Sequence, residues 1–220
     1  PRAIAVDATT AFQPTAEKVG AGWTAKTRGL LLASPNNPTG TLIEPAQLAE
    51  LRHAVRTRGG TLIVDEIYHG LTYGTDARTA LEISDDIIVI NSFSKYFGMT
   101  GWRLGWLVVP TAMIRDVEKL AQNLFISPSA PAQHAALAAF SPETTTILEA
   151  RRADFRVRRD LLLPGLRAIG FRVDAEPQGA FYIYAGIDRW GIDSMVFVQR
   201  ALEEAKVAIT PGYDFGSYRA

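Results

Sequence analysis

The sequence predicts an α/β protein with a mostly parallel sheet and flanking helices, followed by a small C-terminal α+β unit. Short runs that are apolar throughout alternate with helical patterns over the first half of the chain, as in sheets that helices cover. The pattern changes near residue 140, where a long helix begins. We therefore expect a large domain at 1–140, including the start of an interdomain helix, and a small domain at 141–220.

Four apolar runs predict the strands of the sheet, and none of them alternates between apolar and polar side chains. They lie at 30–33, 62–64, 87–90 and 107–109. This pattern is typical of strands that are buried on both faces. Only about a dozen residues connect the third run to the fourth, and a parallel crossover usually needs a helix and at least that length. The fourth strand is therefore expected to run antiparallel to its neighbours.

Helices of the first half are predicted where apolar side chains recur every three or four residues. One such stripe consists of Leu48, Leu51 and Val55, and a second consists of Met113, Val117, Leu120 and Leu124. These stripes place one helix after the first strand and another after the fourth. The alternation of strands and helices favours a largely parallel sheet.

The second half begins with a long helix, which is predicted from about residue 142 by apolar side chains at a seven-residue spacing. They are Leu148, Phe155, Leu162 and Ile169. Pro164 is expected to kink or end this helix. Strands are predicted at 171–173 and 181–184 around a turn at 177–179, followed by a helix near 193–205 and an apolar run at 207–209.

Composition excludes several classes of protein. The 220 residues include 23 Lys+Arg and 23 Asp+Glu, and this zero net charge argues against a basic, nucleic-acid-coating protein. The chain has no Cys, which excludes a disulfide scaffold, a thiolate zinc site and a Cys nucleophile. The three His residues have no metal-ligand spacing, so no metal site is expected. No P-loop and no G-x-G-x-x-G motif occurs, which argues against a nucleotide or NAD enzyme.

Targeting signals are absent from the sequence as given. No apolar run reaches the about 18 residues that span a membrane, so no membrane association is expected. The first residues contain no apolar core or cleavage site of a secretory signal. A cytoplasmic location is the resulting expectation.

Polar segments directly follow the first three apolar runs, at 34–40, 65–68 and 92–95. In an open parallel sheet, ligands bind outside the carboxyl ends of the strands. Because all three segments would meet at that edge, their convergence is a stronger argument than any one of them. The sequence therefore predicts a ligand site there.

Lys95 is the charged residue of the third polar segment, and Arg103 is the charged residue of the stretch that follows it, at 96–103. A lysine amine can form an imine with a carbonyl compound, and an arginine offers a planar fork for a phosphate. Ser92 and Ser94 add hydroxyl groups nearby. Taken alone, these residues also fit a solvated loop lysine and an arginine in a surface ion pair.

The first two segments contribute Asn37, Asp65 and Tyr68. An Asp at the end of an apolar strand must be paired or exposed, and facing a protonated pyridine nitrogen it would form a charge-assisted hydrogen bond. Tyr68 could donate its hydroxyl to a phenolate oxygen, and Asn37 could project its amide into the site. Each residue also has a purely structural interpretation. Asp65 is typical of a helix cap or a turn, Tyr68 is typical of a domain surface, and Asn37 is typical of an ordinary turn.

These segments, in this order and spacing, resemble the class I/II aminotransferases, which are fold-type-I pyridoxal-phosphate enzymes. The string Ser-Phe-Ser-Lys, followed by Met-Thr-Gly-Trp-Arg-Leu-Gly-Trp, is highly specific to that family and begins at Ser92. Segment 177–182 resembles their small-domain hairpin, and the resemblance covers essentially the whole chain. It implies their fold, with a large cofactor-binding domain that is incomplete here.

The resemblance also implies roles for individual residues. Lys95 matches the lysine that forms an imine with pyridoxal 5'-phosphate and later moves a proton, and Asp65 matches the partner of the ring nitrogen. Tyr68 matches a group that bonds the cofactor's O3′, so these three are the implied catalytic residues. The implied cofactor-binding residues are Asn37, Asp65, Tyr68, Ser92, Ser94, Lys95 and Arg103.

The implied function is transfer of an amino group between an α-amino acid and a 2-oxo acid, by a homodimer. Two alternatives stay open: a β-eliminating C–S lyase of the same fold, and a non-catalytic effector domain of a transcription regulator. Family members are much longer and begin upstream of Pro1, so we expect a fragment that lacks the N-terminal part and the extreme C-terminus. Arg219 does not match the family's arginine for the substrate carboxylate. We expect these 220 residues alone to be inactive.

Overall fold

The sheet of the computed structural model, which describes residues 1–216, has four strands in the order β1-β2-β3-β4. They are β1 (Gly29–Ala33), β2 (Thr61–Asp65), β3 (Ile88–Ser92) and β4 (Gly105–Val108). The first three strands pair in parallel, and β4 pairs with β3 in the antiparallel direction. Both the α/β fold and the reversed fourth strand are thus confirmed, whereas Arg219 lies outside the described residues.

Six α-helices accompany the sheet within residues 1–216. They are α1 (Ala16–Gly22), α2 (Pro45–Arg56), α3 (Ile114–Leu124), α4 (Ala130–Ala138), α5 (Pro142–Ala168) and α6 (Ser194–Ala205). Local sequence explains several boundaries: Thr15 caps α1 and Ser141 caps α5 through their side chains, and prolines occupy the first turns of α2, α4 and α5.

The main core lies between α2 and one face of the sheet. The predicted stripe of α2 is buried there, with Leu51 and Val55 fully enclosed. It packs against alternate side chains of the first three strands, among them Leu32, Val64 and Val89. Each such side chain contributes about 1.5–3 kcal/mol when it is fully buried, so this layer fixes the sheet on which the site residues stand.

The opposite face is not closed by the described residues, so within residues 1–216 the side chains of β1 and β4 are not buried on both faces. Leu31 in the middle of β1 is 64% exposed, and every residue of β4 is exposed. The helix predicted after β4 is present as α3, but its Leu120 and Leu124 are also exposed. Within residues 1–216, no layer lies over these apolar side chains.

Helix α5 continues through Pro164, so the proline does not end it. The proline removes a single main-chain donor from the helical ladder, while the residues on either side keep theirs. The helix ends at Ala168, where the Ile169 amide donates to the Gly165 carbonyl. Helix α5 therefore extends over 27 residues with a proline inside it.

The strands predicted at 171–173 and 181–184 do not form, and the described part of the chain has no strand at 207–209 either. The isolated bridges of this region join Arg172 to Gly186 and Thr72 to Gly179, and none of them involves residues 181–184. The reason lies in the turn at 177–179, whose main chain bonds to Gly40 and to Tyr73 instead of closing a hairpin. The division of the chain after residue 140 stays a prediction.

Candidate active site

The carboxyl ends of the three parallel strands lie side by side, because Ala33 pairs with Asp65 and Asp65 pairs with Ile90. Main-chain hydrogen bonds continue this alignment beyond the strands: the Ser34 amide donates to the Asp65 carbonyl at 3.0 Å, and the Glu66 amide donates to the Ile90 carbonyl at 2.8 Å. The three polar segments found in the sequence therefore start from one edge of the sheet.

Lys95 lies in the loop between β3 and β4. This loop is closed at its base by a hydrogen bond from the Phe93 amide to the Leu104 carbonyl, and the Gly98 amide donates to the Lys95 carbonyl. The Lys95 side chain is half-buried, and its Nζ lies 5.7 Å from the ring centroid of Tyr68 and 5.5 Å from that of Phe181. The amine is thus held beside two aromatic rings at the strand ends.

Ser92, Ser94 and Arg103 surround the base of the same loop. The Oγ atoms of Ser92 and Ser94 are 2.9 Å apart, and the Ser94 amide donates to Ser92 Oγ at 3.0 Å. Arg103 is exposed, has a φ of 54°, and donates from one guanidinium nitrogen to the Thr100 carbonyl. No other hydrogen bond to its guanidinium occurs within residues 1–216, so most of its donors remain available to an anion.

Asp65 ends β2 with a half-buried carboxylate. Its Oδ1 accepts a hydrogen bond from the Ile67 amide at 3.0 Å, whereas Oδ2 accepts none from the described residues. Burial raises the pKa of Asp65 above its ordinary value, and the bond from Ile67 opposes that shift. A carboxylate in this state is stabilised by a cationic partner, because a buried charge without a partner is costly.

Tyr68 is buried, and its hydroxyl lies 2.7 Å from the hydroxyl of Tyr182. The two rings meet edge to face with centroids 5.6 Å apart. Burial raises the pKa of Tyr68 above its ordinary value, so the hydroxyl keeps its proton near neutral pH. The predicted donor is therefore present, but a second tyrosine already contacts it.

Asn37 is the predicted site residue that the described contacts do not bring to the others. Its side chain is exposed and forms no hydrogen bond within residues 1–216. The surrounding turn is held instead by Thr39 Oγ1, which donates to Asn36 Oδ1, and by the Gly40 amide, which donates to the Asn36 carbonyl. Asn37 is presented at the surface of this turn.

Phe181 and Tyr182 belong to the crossing segment, by which we mean residues 177–182. Sequence reasoning gave neither aromatic residue a role in the site. The amides of Gln178 and Gly179 both donate to the Gly40 carbonyl, at 2.9 and 2.8 Å, and the Ala180 amide donates to the Leu71 carbonyl. The two consecutive aromatic residues indicate that this segment packs against another part of the protein. The neighbouring sequence does not identify that part.

Glu66 is buried and His69 half-buried, and their side chains lie close together on the turn that contains Tyr68. Glu66 Oε1 accepts from the Ala80 amide at 2.6 Å, and Oε2 lies 3.3 Å from His69 Nδ1. Burial raises the pKa of Glu66 and lowers the pKa of His69 to about 4, so the imidazole is neutral near pH 7. The pair fixes the turn that carries Tyr68 and was not predicted.

Within residues 1–216, no group of three or more His, Cys, Asp or Glu side chains is arranged so that it could hold a metal ion. None of the described helices combines the length and the apolar character needed to cross a membrane.

Comparison with known proteins identifies the family. The sequence model of aminotransferase class I and II matches residues 2–219. Over 212 residues the chain is 45% identical to the valine–pyruvate aminotransferase of Mycobacterium tuberculosis, covering 96% of this chain and 54% of that protein. It is 35% identical to an aspartate aminotransferase of Streptomyces avermitilis, covering 97% of this chain and 56% of that protein.

The fold comparison agrees with the sequence comparison. A crystal structure of an aminotransferase from Mycobacterium tuberculosis superposes with a TM-score of 0.90 at 44% sequence identity. The match covers 96% of this chain and 55% of that one, so the chain spans about half the length of the relatives that it matches. The chain belongs to the aminotransferase class I and II family.

Proposed function

We propose that the intact protein is a pyridoxal-phosphate-dependent aminotransferase that moves an amino group between an α-amino acid and a 2-oxo acid. The observation that carries the proposal is the position of the Lys95 amine at the carboxyl edge of the sheet, beside Tyr68. Because the chain spans about half of its relatives, the activity is proposed for the whole protein. The matched relatives are named aminotransferases, which favours transamination over β-elimination.

The donor set fits the chemistry of the proposed cofactor. Asp65 Oδ2 has no described hydrogen-bond partner and would accept from a protonated pyridine nitrogen. The free N–H groups of Arg103 and the Ser94 hydroxyl are donors to a phosphate. The Ser92 hydroxyl donates within the loop, to Ser94 Oγ or to the Leu104 carbonyl at 3.1 Å, and would have to turn its proton towards the phosphate. When bound, pyridoxal phosphate supplies an electron sink for the carbanion that forms at the substrate Cα.

The chain's own residues then have distinct tasks. Lys95 would hold the cofactor through its Nζ, and once a substrate amine has released it, the free amine would move the proton at the substrate Cα. Asp65 keeps a proton on the ring nitrogen, because the carboxylate stabilises the positive charge there. Tyr68 would orient the ring through its phenolate oxygen, and Arg103 would anchor the phosphate. Asn37 stays a predicted second partner of that oxygen, because its exposed side chain does not contact the other site residues.

Substrate choice and assembly extend the same proposal. The similarity to a valine–pyruvate aminotransferase makes valine with pyruvate the first substrate pair to test, and the similarity to an aspartate aminotransferase makes aspartate the second amino donor. We also propose that two subunits pair. The exposed apolar side chains of β4 and α3 need a covering layer, which a second subunit or another part of the intact protein would supply.

The test uses the intact protein, pyridoxal phosphate and the Lys95→Ala variant. The unaltered protein should turn yellow, borohydride should attach the cofactor to Lys95, and valine or aspartate should support amino transfer to pyruvate or another 2-oxo acid. Lys95→Ala should lose both the attachment and the transfer, since the amine is absent. Lys119→Ala, which removes an exposed lysine of α3, is the control and should retain both. Near-normal turnover in Lys95→Ala would disprove the assignment.

A further inference from the structure

The Tyr68 hydroxyl has one described hydrogen-bond partner within residues 1–216, the hydroxyl of Tyr182 at 2.7 Å. The two residues are 114 positions apart in the chain. Each hydroxyl has a single proton, so one tyrosine donates and the other accepts. If Tyr182 is the donor, the Tyr68 proton remains free for a third group.

The crossing segment places Tyr182 through a strained residue. Ala180 is fully buried and has a φ of 58°, a conformation that costs a non-glycine residue on the order of 1–3 kcal/mol. Two contacts hold it there: its carbonyl accepts from the Tyr73 hydroxyl, and its amide donates to the Leu71 carbonyl. Such strain persists where surrounding contacts enforce it, and it is typical of functional sites.

The strained residue is followed by two side chains that contact one ring. Phe181 and Tyr182 each lie edge to face against Tyr68, with both centroid distances 5.6 Å. Successive side chains of an extended strand would point to opposite sides. The backbone after Ala180 therefore brings two neighbouring aromatic residues to the same partner.

Few charged groups face Tyr68 from the elements around it. Lys95 Nζ lies 5.7 Å from its ring centroid, and Asp65 acts on it as a nearby negative charge. Neither forms a hydrogen bond to the Tyr68 hydroxyl among the described contacts. The Tyr182 hydroxyl is thus the described polar group that lies within hydrogen-bond distance of the Tyr68 hydroxyl.

We propose that Tyr182 is a positioning residue: its hydroxyl donates to the Tyr68 oxygen and thereby directs the Tyr68 proton to the phenolate oxygen of pyridoxal phosphate. This inference rests on the proposed function. A hydroxyl that accepts one hydrogen bond becomes a stronger donor in the next, because consecutive hydrogen bonds polarise one another. Tyr182 would therefore strengthen the contact between Tyr68 and the cofactor without touching the cofactor itself.

The experiment combines Tyr182→Phe and Tyr68→Phe, singly and together, in the intact protein. Two quantities are measured: the dissociation constant for pyridoxal phosphate, and the pH midpoint at which the absorbance of the bound cofactor changes. Tyr182→Phe should weaken binding about three- to tenfold, the effect of one hydrogen bond, and should raise the midpoint because the phenolate loses stabilisation. Tyr184→Phe, two residues further on, is the control and should change neither quantity.

The double variant decides whether Tyr182 acts through Tyr68. In the Tyr68→Phe background, Tyr182→Phe should cause no further change in either quantity. Equal effects in both backgrounds, or none in either, would overturn the inference. If the unaltered protein takes up no pyridoxal phosphate, the proposed function itself fails; normal uptake with an unchanged Tyr182→Phe variant overturns the inference alone.

Discussion

The Tyr73 hydroxyl donates a hydrogen bond to the main-chain carbonyl of Ala180, 2.5 Å away and 107 residues further along the chain. Helix α5 contributes to the same point, because the Arg159 guanidinium lies 5.0 Å from the Tyr73 ring centroid and donates to the Pro177 carbonyl. Burial raises the pKa of Tyr73 to about 12, so this donor keeps its proton. One buried tyrosine, in the loop that follows β2, thus joins α5 to the crossing segment.

Removing this hydroxyl should destabilise the protein. Tyr73→Phe leaves the Ala180 carbonyl without its donor, and an unsatisfied buried acceptor costs about 1–3 kcal/mol. The free energy of unfolding, measured by urea denaturation of the intact protein, should fall by that amount. Tyr184→Phe is the matched control, because the Tyr184 hydroxyl has no described hydrogen bond, and it should stay within about 0.5 kcal/mol. Equal losses in the two variants would contradict the assigned role of Tyr73.

Substitutions at Gly40 and Gly59 distinguish the cost of a steric clash from the cost of a left-handed backbone conformation. Their φ angles are 68° and 69°, but a Cβ at Gly40 would lie 2.6 Å from the Gly179 carbonyl oxygen, whereas nothing lies within 4 Å at Gly59. Gly59→Ala should therefore cost about 1–2 kcal/mol for the left-handed conformation alone. Gly40→Ala should cost more, about 3 kcal/mol or above, because the crossing segment must move away. Thermal unfolding of both variants measures the difference, and equal costs would rule out the close contact.

His69 should make stability depend on pH. Its pKa is about 4 in the folded protein and 6.5 in its ordinary state, so between these values the unfolded chain binds the proton and the folded chain does not. The free energy of unfolding therefore decreases as the pH falls from 6.5 towards 4, by on the order of 2–3 kcal/mol.

The His69 effect is measured by urea denaturation at a series of pH values. In His69→Gln this part of the acid-induced loss should disappear, while Glu66, whose pKa burial raises, is retained in both proteins. His53→Gln, which changes an exposed histidine of α2, is the control and should keep the full pH dependence. An unchanged pH profile in His69→Gln would show that the imidazole is not held neutral.

Asp65 and Arg103 should affect different steps. Asp65→Ala should retain some pyridoxal phosphate but lose most turnover, because the ring nitrogen loses its counter-charge. Arg103→Ala should mainly weaken cofactor binding, by about 1.5–3 kcal/mol for a charged phosphate hydrogen bond. Equilibrium binding and steady-state rates of both variants are compared with Arg115→Ala, an exposed residue of α3. If Asp65→Ala mainly weakened cofactor binding and Arg103→Ala mainly lowered turnover, the two assigned roles would be wrong.

Local sequence predicted the sheet because the information needed was local. The apolar runs marked all four strands, and the short connection between β3 and β4 showed the direction of the last one. The strands expected at 171–173 and 181–184 failed for the opposite reason. Their apolar residues have suitable composition, but the main chain of 177–180 is bonded to partners more than 100 residues away. Pattern alone does not identify such partners.

The site likewise has a part that the local sequence predicts and a part that it does not. Asp65 and the segment that carries Lys95 directly follow buried strands, so their place at the sheet edge follows from the strand assignment. Tyr182 depends on a backbone twist at a buried alanine, and the role of His69 depends on a carboxylate that burial perturbs. Neither the backbone twist nor the effect of burial can be predicted from the neighbouring residues alone.

The crossing segment has a consequence for how the protein opens. Its amides at Gln178, Gly179 and Ala180 donate to the carbonyls of Gly40 and Leu71, and the Tyr73 amide donates back to Gln178. These bonds join parts of the chain separated by over 100 residues, so no single one can re-form quickly once the segment has left. The four amides should therefore exchange with deuterium at a common rate, as one cooperative unit. An opening that exposes Gly40 would then also carry Tyr182 away from Tyr68, which couples exchange at this turn to the geometry of the catalytic edge.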